Sequence, residues 1–180
     1  MRIYGNRELK TLSGQDTRPT TAKVREALFN IWQSKITNCN WLDLCAGNGS
    51  MGAEALCRGA KSVTAIEQSP RACSVIRYNF EKVANESQAF KIIRGDVRSR
   101  LKNLAGNKFD LIYFDPPYAS NLYQPVLETI VKYQLLTIDG EIGVEFNPKM
   151  WHNTEIMGLE IIKTKVYGNT TLIFYTILSP

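Results

Sequence analysis

Residues 40–67 read NWLDLCAGNGSMGAEALCRGAKSVTAIE, and this stretch decides the fold. Residues 41–46 form an apolar run with the length and composition of a buried strand. Gly47-Asn48-Gly49-Ser50-Met51-Gly52 is a G-x-G-x-x-G turn, and the Ala/Leu/Glu segment behind it reads as a helix. A second apolar run, residues 62–66, ends on Glu67, twenty positions after Gly47. Strand, glycine turn, helix, strand and acid follow the order of a nucleoside-binding βαβ unit. The glycines let the turn close tightly and let a ligand approach the backbone. An acid at the end of the second strand can accept from both hydroxyls of a ribose.

Asp43 separates the cofactor classes. It sits just before the turn, near the carboxyl end of the first strand. A pyrophosphate at the helix N-terminus would be repelled by that carboxylate, which argues against NAD. S-adenosylmethionine carries an ammonium and no phosphate, so the sequence favours it. Asp43, Ala46, Gly47, Gly49, Glu67 and Gln68 are the candidate cofactor-binding residues of this unit.

Length and charge narrow the rest. A chain of 180 residues is expected to be one domain with a substantial core. It has no apolar run near the ~20 residues of a membrane span, and its start lacks a signal-peptide core. Cys39, Cys45, Cys57 and Cys73 show no C-x-x-C spacing, so they read as buried thiols of a cytoplasmic protein rather than a metal or redox site. The single histidine, His152, leaves no material for a histidine metal centre or a Ser-His-Asp machine. Residues 1–25 hold Arg2, Arg7, Lys10, Arg18, Lys23 and Arg25 against Glu8 and Asp16, which is four of the chain's five net positive charges. A basic arm on a near-neutral body suits a polyanion, and Arg2, Arg7, Lys10, Arg18 and Arg25 are the candidate nucleic-acid contacts, unless the arm is only a solvated basic tail.

In chain order, residues 2–4 and 8–12 make two short β pieces around a Gly-Asn turn, a hairpin that stays mobile unless it docks. Thr20 or Thr21 can cap a helix running to about Ser34 or Lys35. Val24, Ala27, Leu28 and Ile31 mark its buried face, with Lys23, Arg25 and Glu26 elsewhere on the wheel. Pro70 opens a helix to about Ala84. Residues 89–93 read as a strand, 97–104 as a helix, 109–114 as a strongly apolar strand, and 122–136 as a helix with Pro125 in its first turn. Residues 142–146 are a fifth strand. Residues 161–166 and 171–178 form a final antiparallel pair around Tyr167-Gly168-Asn169. Alternating strands and helices predict a doubly wound α/β sheet with helices on both faces. The terminal hairpin points to the Rossmann-like, seven-stranded class I S-adenosylmethionine-dependent methyltransferase fold with a short N-terminal β-hairpin extension. Residues 1–20 form the basic arm and 21–180 the catalytic domain.

The chemistry is expected at Asp115-Pro116-Pro117-Tyr118, where the fourth strand ends in the crevice that open α/β sheets use for ligands. Two prolines fix φ and offer no N–H, so this turn presents carbonyls, and Asp115 adds a carboxylate. An exocyclic amino group has N–H donors and a delocalised lone pair. Acceptors that polarise those N–H bonds as charge develops favour its attack on a sulfonium methyl. Tyr118 can stack on a base taken out of its helix. Asp96, at the end of the third strand, can accept from an adenine amino group beside the Val97 amide, or can simply cap a helix.

Taken together these residues resemble the bacterial 16S ribosomal RNA (guanine-N2)-methyltransferases, the family that modifies guanine 966. The resemblance is carried by Arg2-Ile3-Tyr4-Gly5, Thr17-Arg18-Pro19-Thr20, Val24-Arg25-Glu26-Ala27-Leu28-Phe29-Asn30, Leu42-Asp43-Leu44-Cys45-Ala46-Gly47-Asn48-Gly49, Gly52-Ala53-Glu54-Ala55-Leu56, Glu67, Asp115-Pro116-Pro117-Tyr118 and Tyr167-Gly168-Asn169-Thr170. It implies S-adenosylmethionine on Asp43, Gly47, Gly49 and Glu67, its adenine at Asp96, the target guanine at 115–118, and RNA along the basic arm. The implied partner is 16S rRNA, or the small ribosomal subunit assembled or assembling; nothing in the sequence demands more than a monomer. Two departures are visible: Gly5-Asn6 stands where the family usually has paired glycines, and Arg7-Glu8-Leu9-Lys10 where it has a further Gly-Arg or Gly-Lys before the Leu, so the hairpin is shorter.

Other readings keep the fold and change the chemistry. N6 of adenine in DNA or RNA, or a protein glutamine, also fits Asp-Pro-Pro-Tyr, although 180 residues leave little room for a DNA-recognition domain. An NAD-linked oxidoreductase is disfavoured by Asp43. A non-catalytic RNA-binding assembly protein would keep the cofactor turn without using it.

Overall fold

The apolar runs become strands, and all but the N-terminal hairpin join one sheet. A computed structural model describes residues 1–12, 22–117, 120–152 and 155–178. The hairpin is β1 (Arg2–Ile3) and β2 (Arg7–Glu8), followed by α1 (Ala22–Ile31), β3 (Asn40–Leu44), α2 (Ser50–Cys57), β4 (Ser62–Glu67) and α3 (Pro70–Val83). Then come β5 (Ala89–Arg94), α4 (Val97–Lys102), β6 (Phe109–Phe114), α5 (Tyr123–Lys132), β7 (Leu136–Phe146), β8 (Leu159–Tyr167) and β9 (Thr170–Ile177). The sheet order is β5-β4-β3-β6-β7-β9-β8. β5, β4, β3, β6 and β7 pair in parallel, while β9 is antiparallel to both β7 and β8. Strand order reverses between β3 and β6, which opens a crevice at their carboxyl ends. The candidate caps Thr20 and Thr21, together with Arg18 and Tyr118, lie outside the described residues.

Side-chain alternation sorts the strands into two cores. Trp41, Leu111, Tyr113, Leu172 and Phe174 pack with α1, α2, α3 and the hairpin residues Ile3 and Leu9. Leu42, Leu44, Ile112, Phe114, Val144 and Ile173 pack with α4 and α5. Trp32 anchors the first core edge-on to Trp41 at 5.4 Å and to Phe174 at 5.5 Å. Its ring fills the space above Gly143, where a Cβ would come within 2.8 Å.

Several helices stop earlier than their periodicity suggests. α1 ends at Ile31, and the expected turn to Lys35 is closed instead by the Lys35 N–H on the Trp32 carbonyl. α5 ends at Lys132 rather than near 136. There Gln134 takes φ +50, the Leu135 N–H reaches the Ile130 carbonyl and the Gln134 N–H reaches the Val131 carbonyl. That pair of bonds is a Schellman motif, built without the glycine that would announce it. Leu136 then begins β7, six residues ahead of the expected strand, with a register shift opposite Phe109 and Leu111.

The hairpin is docked. The Met1 ammonium donates to the Leu9 carbonyl, and Ile3 and Leu9 are buried. Asn79, fully buried on α3, receives the Lys10 N–H at 2.9 Å and donates to the carbonyls of Lys10 and Asn48. One side chain thus ties the hairpin to the glycine turn.

Arg25 is not a surface cation. It is 4% exposed, donates Nε to Glu54 Oε2 at 2.6 Å and Nη2 to the Arg2 carbonyl at 2.9 Å. Glu54 also receives Arg58, whose guanidinium lies over the rings of Tyr4 and Phe29. Its expected role as an RNA contact is therefore corrected to that of a clamp between α1, α2 and the hairpin. Arg25→Ala is predicted to lower unfolding stability in urea by about 2–3 kcal/mol, since Glu54 retains Arg58, with the RNA affinity of the folded variant unchanged. A loss of RNA affinity at undiminished stability would restore the surface role.

Candidate functional site

The carboxyl ends of β3, β4, β5, β6 and β7 converge on one cleft of about 640 Å³. Its floor is the glycine turn. Gly47 and Gly49 hold φ of +57 and +74, and Gly47 has no atom within 4 Å of a built Cβ, so it faces open space. Gly52 is needed for a different reason: a Cβ there would lie 2.7 Å from Phe80 and 2.9 Å from Val63. α2 thereby approaches β3 closely enough for the Gly52 N–H to reach Asp43 Oδ2 at 3.0 Å.

Glu67 closes the turn from the next strand. One oxygen receives the Gly47 N–H at 2.9 Å and the other the Ser69 N–H at 2.9 Å. Each oxygen has two lone pairs, so the carboxylate is fixed in place and retains acceptor capacity. Asp96 does cap α4, receiving the Ser99 N–H at 3.2 Å, and it lines the cleft as well. Against the desolvation of partial burial, the Ser99 N–H and Arg98 hold its carboxyl below the usual range. At the end of β6 the Asp115 N–H meets the Leu44 carbonyl at 3.5 Å, which sets the Asp-Pro-Pro turn beside the end of β3.

The electrostatics are one-signed. Burial, then the charges of Glu67, Asp115, Asp43 and Asp96, push the Cys45 thiol far above its ordinary range. The acids that line the cleft thus act together on Cys45, whose sulfur stays a protonated, unreactive thiol. Burial also pushes the Asp43 carboxyl up to about 7, opposed by the Gly52 N–H and aided by the charge of Glu67. A cation in this cleft finds compensating charge, whereas a phosphate finds repulsion. Among the described residues there is no cluster of groups arranged to hold a metal, and no helix long and apolar enough to cross a membrane.

Of the expected cofactor residues, Asp43, Ala46, Gly47, Glu67, Gln68, Asp96 and Val97 all line the cleft. Gly49 is set back from it, and its Cβ position faces Ile76 and Phe80 at 3.0–3.1 Å, so close helix packing also asks for glycine there. Asp115, Pro116 and Pro117 line the same cleft. Arg2, Arg7 and Lys10 are exposed on the hairpin. Of the cysteines only Cys39 is buried, the other three being half-buried, and all four are free. Two groups were not anticipated. Thr11 and Leu12 bring the hairpin's tail to the cleft wall, and Glu145 on β7 is a buried carboxylate that lines it. The signal for Glu145 is an acid embedded in the apolar run IGVEF.

Asp43 gives a pH prediction. Its folded pKa of about 7 lies above the ordinary aspartate value of 3.8, so the folded state holds the extra proton between those limits. Its contribution to stability is full below about pH 4, falls as pH rises through about 7 and is flat beyond. Unfolding free energies measured from pH 4 to 8 should show this decline in the wild type and lose it in Asp43→Asn. Parallel profiles for the two proteins would contradict the assignment.

Comparison with known proteins agrees with this architecture. The family described as Conserved hypothetical protein 95 matches residues 1–176. The Bacillus subtilis protein named "Putative rRNA methyltransferase YlbH" is 31% identical over 171 residues, covering 94% of this chain and 92% of that protein. The Haemophilus influenzae "Ribosomal RNA small subunit methyltransferase D" is 28% identical over 175 residues, covering 93% and 91%. Among solved structures, "Putative methyltransferase yhhF from Escherichia coli" superposes with a TM-score of 0.86 at 27% identity, covering 98% of this chain and 97% of that one. The Rossmann-like sheet is thus the class I methyltransferase fold.

Proposed function

This chain belongs to the family described as Conserved hypothetical protein 95, and we propose that it transfers a methyl group from S-adenosylmethionine to the N2 amino group of a guanine in 16S ribosomal RNA. The observation that carries the reading is the convergence of Asp43, Glu67, Asp96 and Asp115 on one cleft beside the Asp-Pro-Pro turn. Such a cleft fits a cofactor bearing an ammonium and a sulfonium and excludes one bearing a pyrophosphate. Relatives named as rRNA methyltransferases support the substrate class. Guanine 966 is the address that the resemblance suggests.

When bound, S-adenosylmethionine supplies an electrophilic methyl group. Glu67 accepts from the ribose hydroxyls with the lone pairs that Gly47 and Ser69 leave over. Asp96 would accept from the adenine amino group, beside the Val97 amide. Asp43, whose carboxyl burial raises to about 7, would release its proton as the cation binds and balance the positive charge. Asp115 and the Pro116 carbonyl receive the N–H donors of the guanine 2-amino group. That orients its lone pair, offsets the charge developing on N2, and gives the departing proton an acceptor. Tyr118, outside the described residues, remains the sequence's candidate for stacking on the base. The chain's part is positioning and electrostatics, with no covalent enzyme adduct.

Small-subunit rRNA mapped by mass spectrometry from cells with and without the gene should differ by one N2-methylguanine. The mark should return with the wild type and stay absent with Asp115→Ala. In vitro, that variant should lose about a hundredfold or more in turnover with cofactor affinity nearly intact. An unchanged rRNA profile would remove rRNA as the substrate, and equal losses in turnover and affinity would remove Asp115 from the reaction.

The arm yields a separate expectation. Neutralising Arg7 and Lys10, both exposed, should weaken RNA binding and flatten its salt dependence by about one to two in log–log slope. An unaltered slope would mean that the hairpin does not touch phosphate.

A further inference from the structure

Glu145 is a buried carboxylate that the chemistry above does not use. It is 3% exposed, lines the cleft with Asp115, Pro116 and Pro117, and accepts from the Tyr113 hydroxyl at 2.6 Å. Phe114 pairs with Val144 across β6 and β7, so Asp115 and Glu145 each follow one step later, at the carboxyl ends of neighbouring parallel strands. Tyr113 and Glu145 lie on the face that also holds Asp43, since Asp43 pairs with Tyr113 and Tyr113 with Gly143. Burying a carboxylate is costly, and an apolar side chain here would extend the core at no such cost. A carboxylate oxygen is an acceptor, and the Tyr113 hydroxyl already donates to Glu145 Oε2.

Guanine presents three N–H donors in a row on this edge, two on N2 and one on N1. Adenine presents a lone pair at N1. An acceptor placed beside the one that receives the reacting amino group therefore attracts guanine and repels adenine. We propose that Glu145 is the specificity-determining residue of the site, accepting the N1–H of the target guanine while Asp115 and the Pro116 carbonyl face its amino group. The inference rests on the guanine-N2 reading of the cleft. It extends that reading by assigning the choice of base to a side chain on β7, outside the Asp-Pro-Pro-Tyr turn that amino-methyltransferases acting on adenine would share.

The test uses RNA in which the target guanine is replaced by 2-aminopurine, a base that keeps the 2-amino group and carries a lone pair at N1. Wild-type kcat/KM should fall by about tenfold to a hundredfold on this RNA, the discrimination of a good base-edge contact. In Glu145→Gln the amide can accept from guanine N1–H or donate to the 2-aminopurine N1, so the preference should shrink to about threefold or less. The 6-oxygen missing from 2-aminopurine affects both proteins alike and cancels when their preferences are compared. S-adenosylmethionine affinity and melting temperature should match those of the wild type, which a merely structural role would not predict together with an altered base preference. Should Glu145→Gln not fold, Glu145→Asp, which draws the carboxylate back by one methylene, takes its place and should also lose preference. A variant preference equal to that of the wild type, or a wild type indifferent to the two bases, overturns the assignment. A wild type that methylates the guanine RNA at an atom other than N2 instead sinks the functional reading beneath it.

Discussion

The hydrogen bond from the Gly52 N–H to the buried Asp43 carboxylate is the constraint on which the cleft depends. It forms only because position 52 has no Cβ, so that Phe80 and Val63 press directly on the backbone of α2. That approach fixes the helix against β3, and the helix in turn fixes the glycine turn that Glu67 holds from β4. Asn79 extends the same fixation outward, joining the turn to the N-terminal hairpin. The acid is expensive to bury, as its raised pKa records. The cost is met where a cation is to be received.

Charge is partitioned in this molecule. The chain carries a net +5, with Arg2, Arg7 and Lys10 exposed on the hairpin, whereas the cleft is lined by Asp43, Glu67, Asp96, Asp115 and Glu145. On the proposed reading, the basic exterior draws the RNA backbone while the acidic interior refuses it. What enters the cleft is a cationic cofactor from one side and an uncharged base from the other. A base can enter without its phosphates only if it leaves its stack, so the charge pattern itself selects an extruded nucleotide.

Much of this was legible in the residues. Apolar runs, the glycine turn and its distance to Glu67 specified the parallel strands and the crevice, because strand burial and turn chemistry are local properties. What escaped depended on partners far along the chain. Arg25 looked solvent-facing on a helical wheel because its partner, Glu54, lies 29 residues away. Gly49 carries a second demand that the turn alone does not show, since Ile76 and Phe80 crowd its Cβ position. Gln134 ended α5 in a left-handed conformation that glycine would have advertised. Glu145 sits within the apolar run of β7, and its place at the cleft becomes visible only when the sheet is assembled.

The sheet order places β9 between β7 and β8, and this bears on how the molecule comes into being. Leu172 and Phe174 fill one core while Ile173 and Tyr175 fill the other, so a late stretch of sequence occupies an interior position. Thr170, at its start, lines the cleft. As the chain emerges N-terminus first from the ribosome, β3 to β7 are available to pair well before β9 arrives. Until then β7 presents an open edge and both cores lack a wall. The last strand of the sheet to be synthesised is therefore the keystone of the fold, and completing the fold and completing the cleft are a single event.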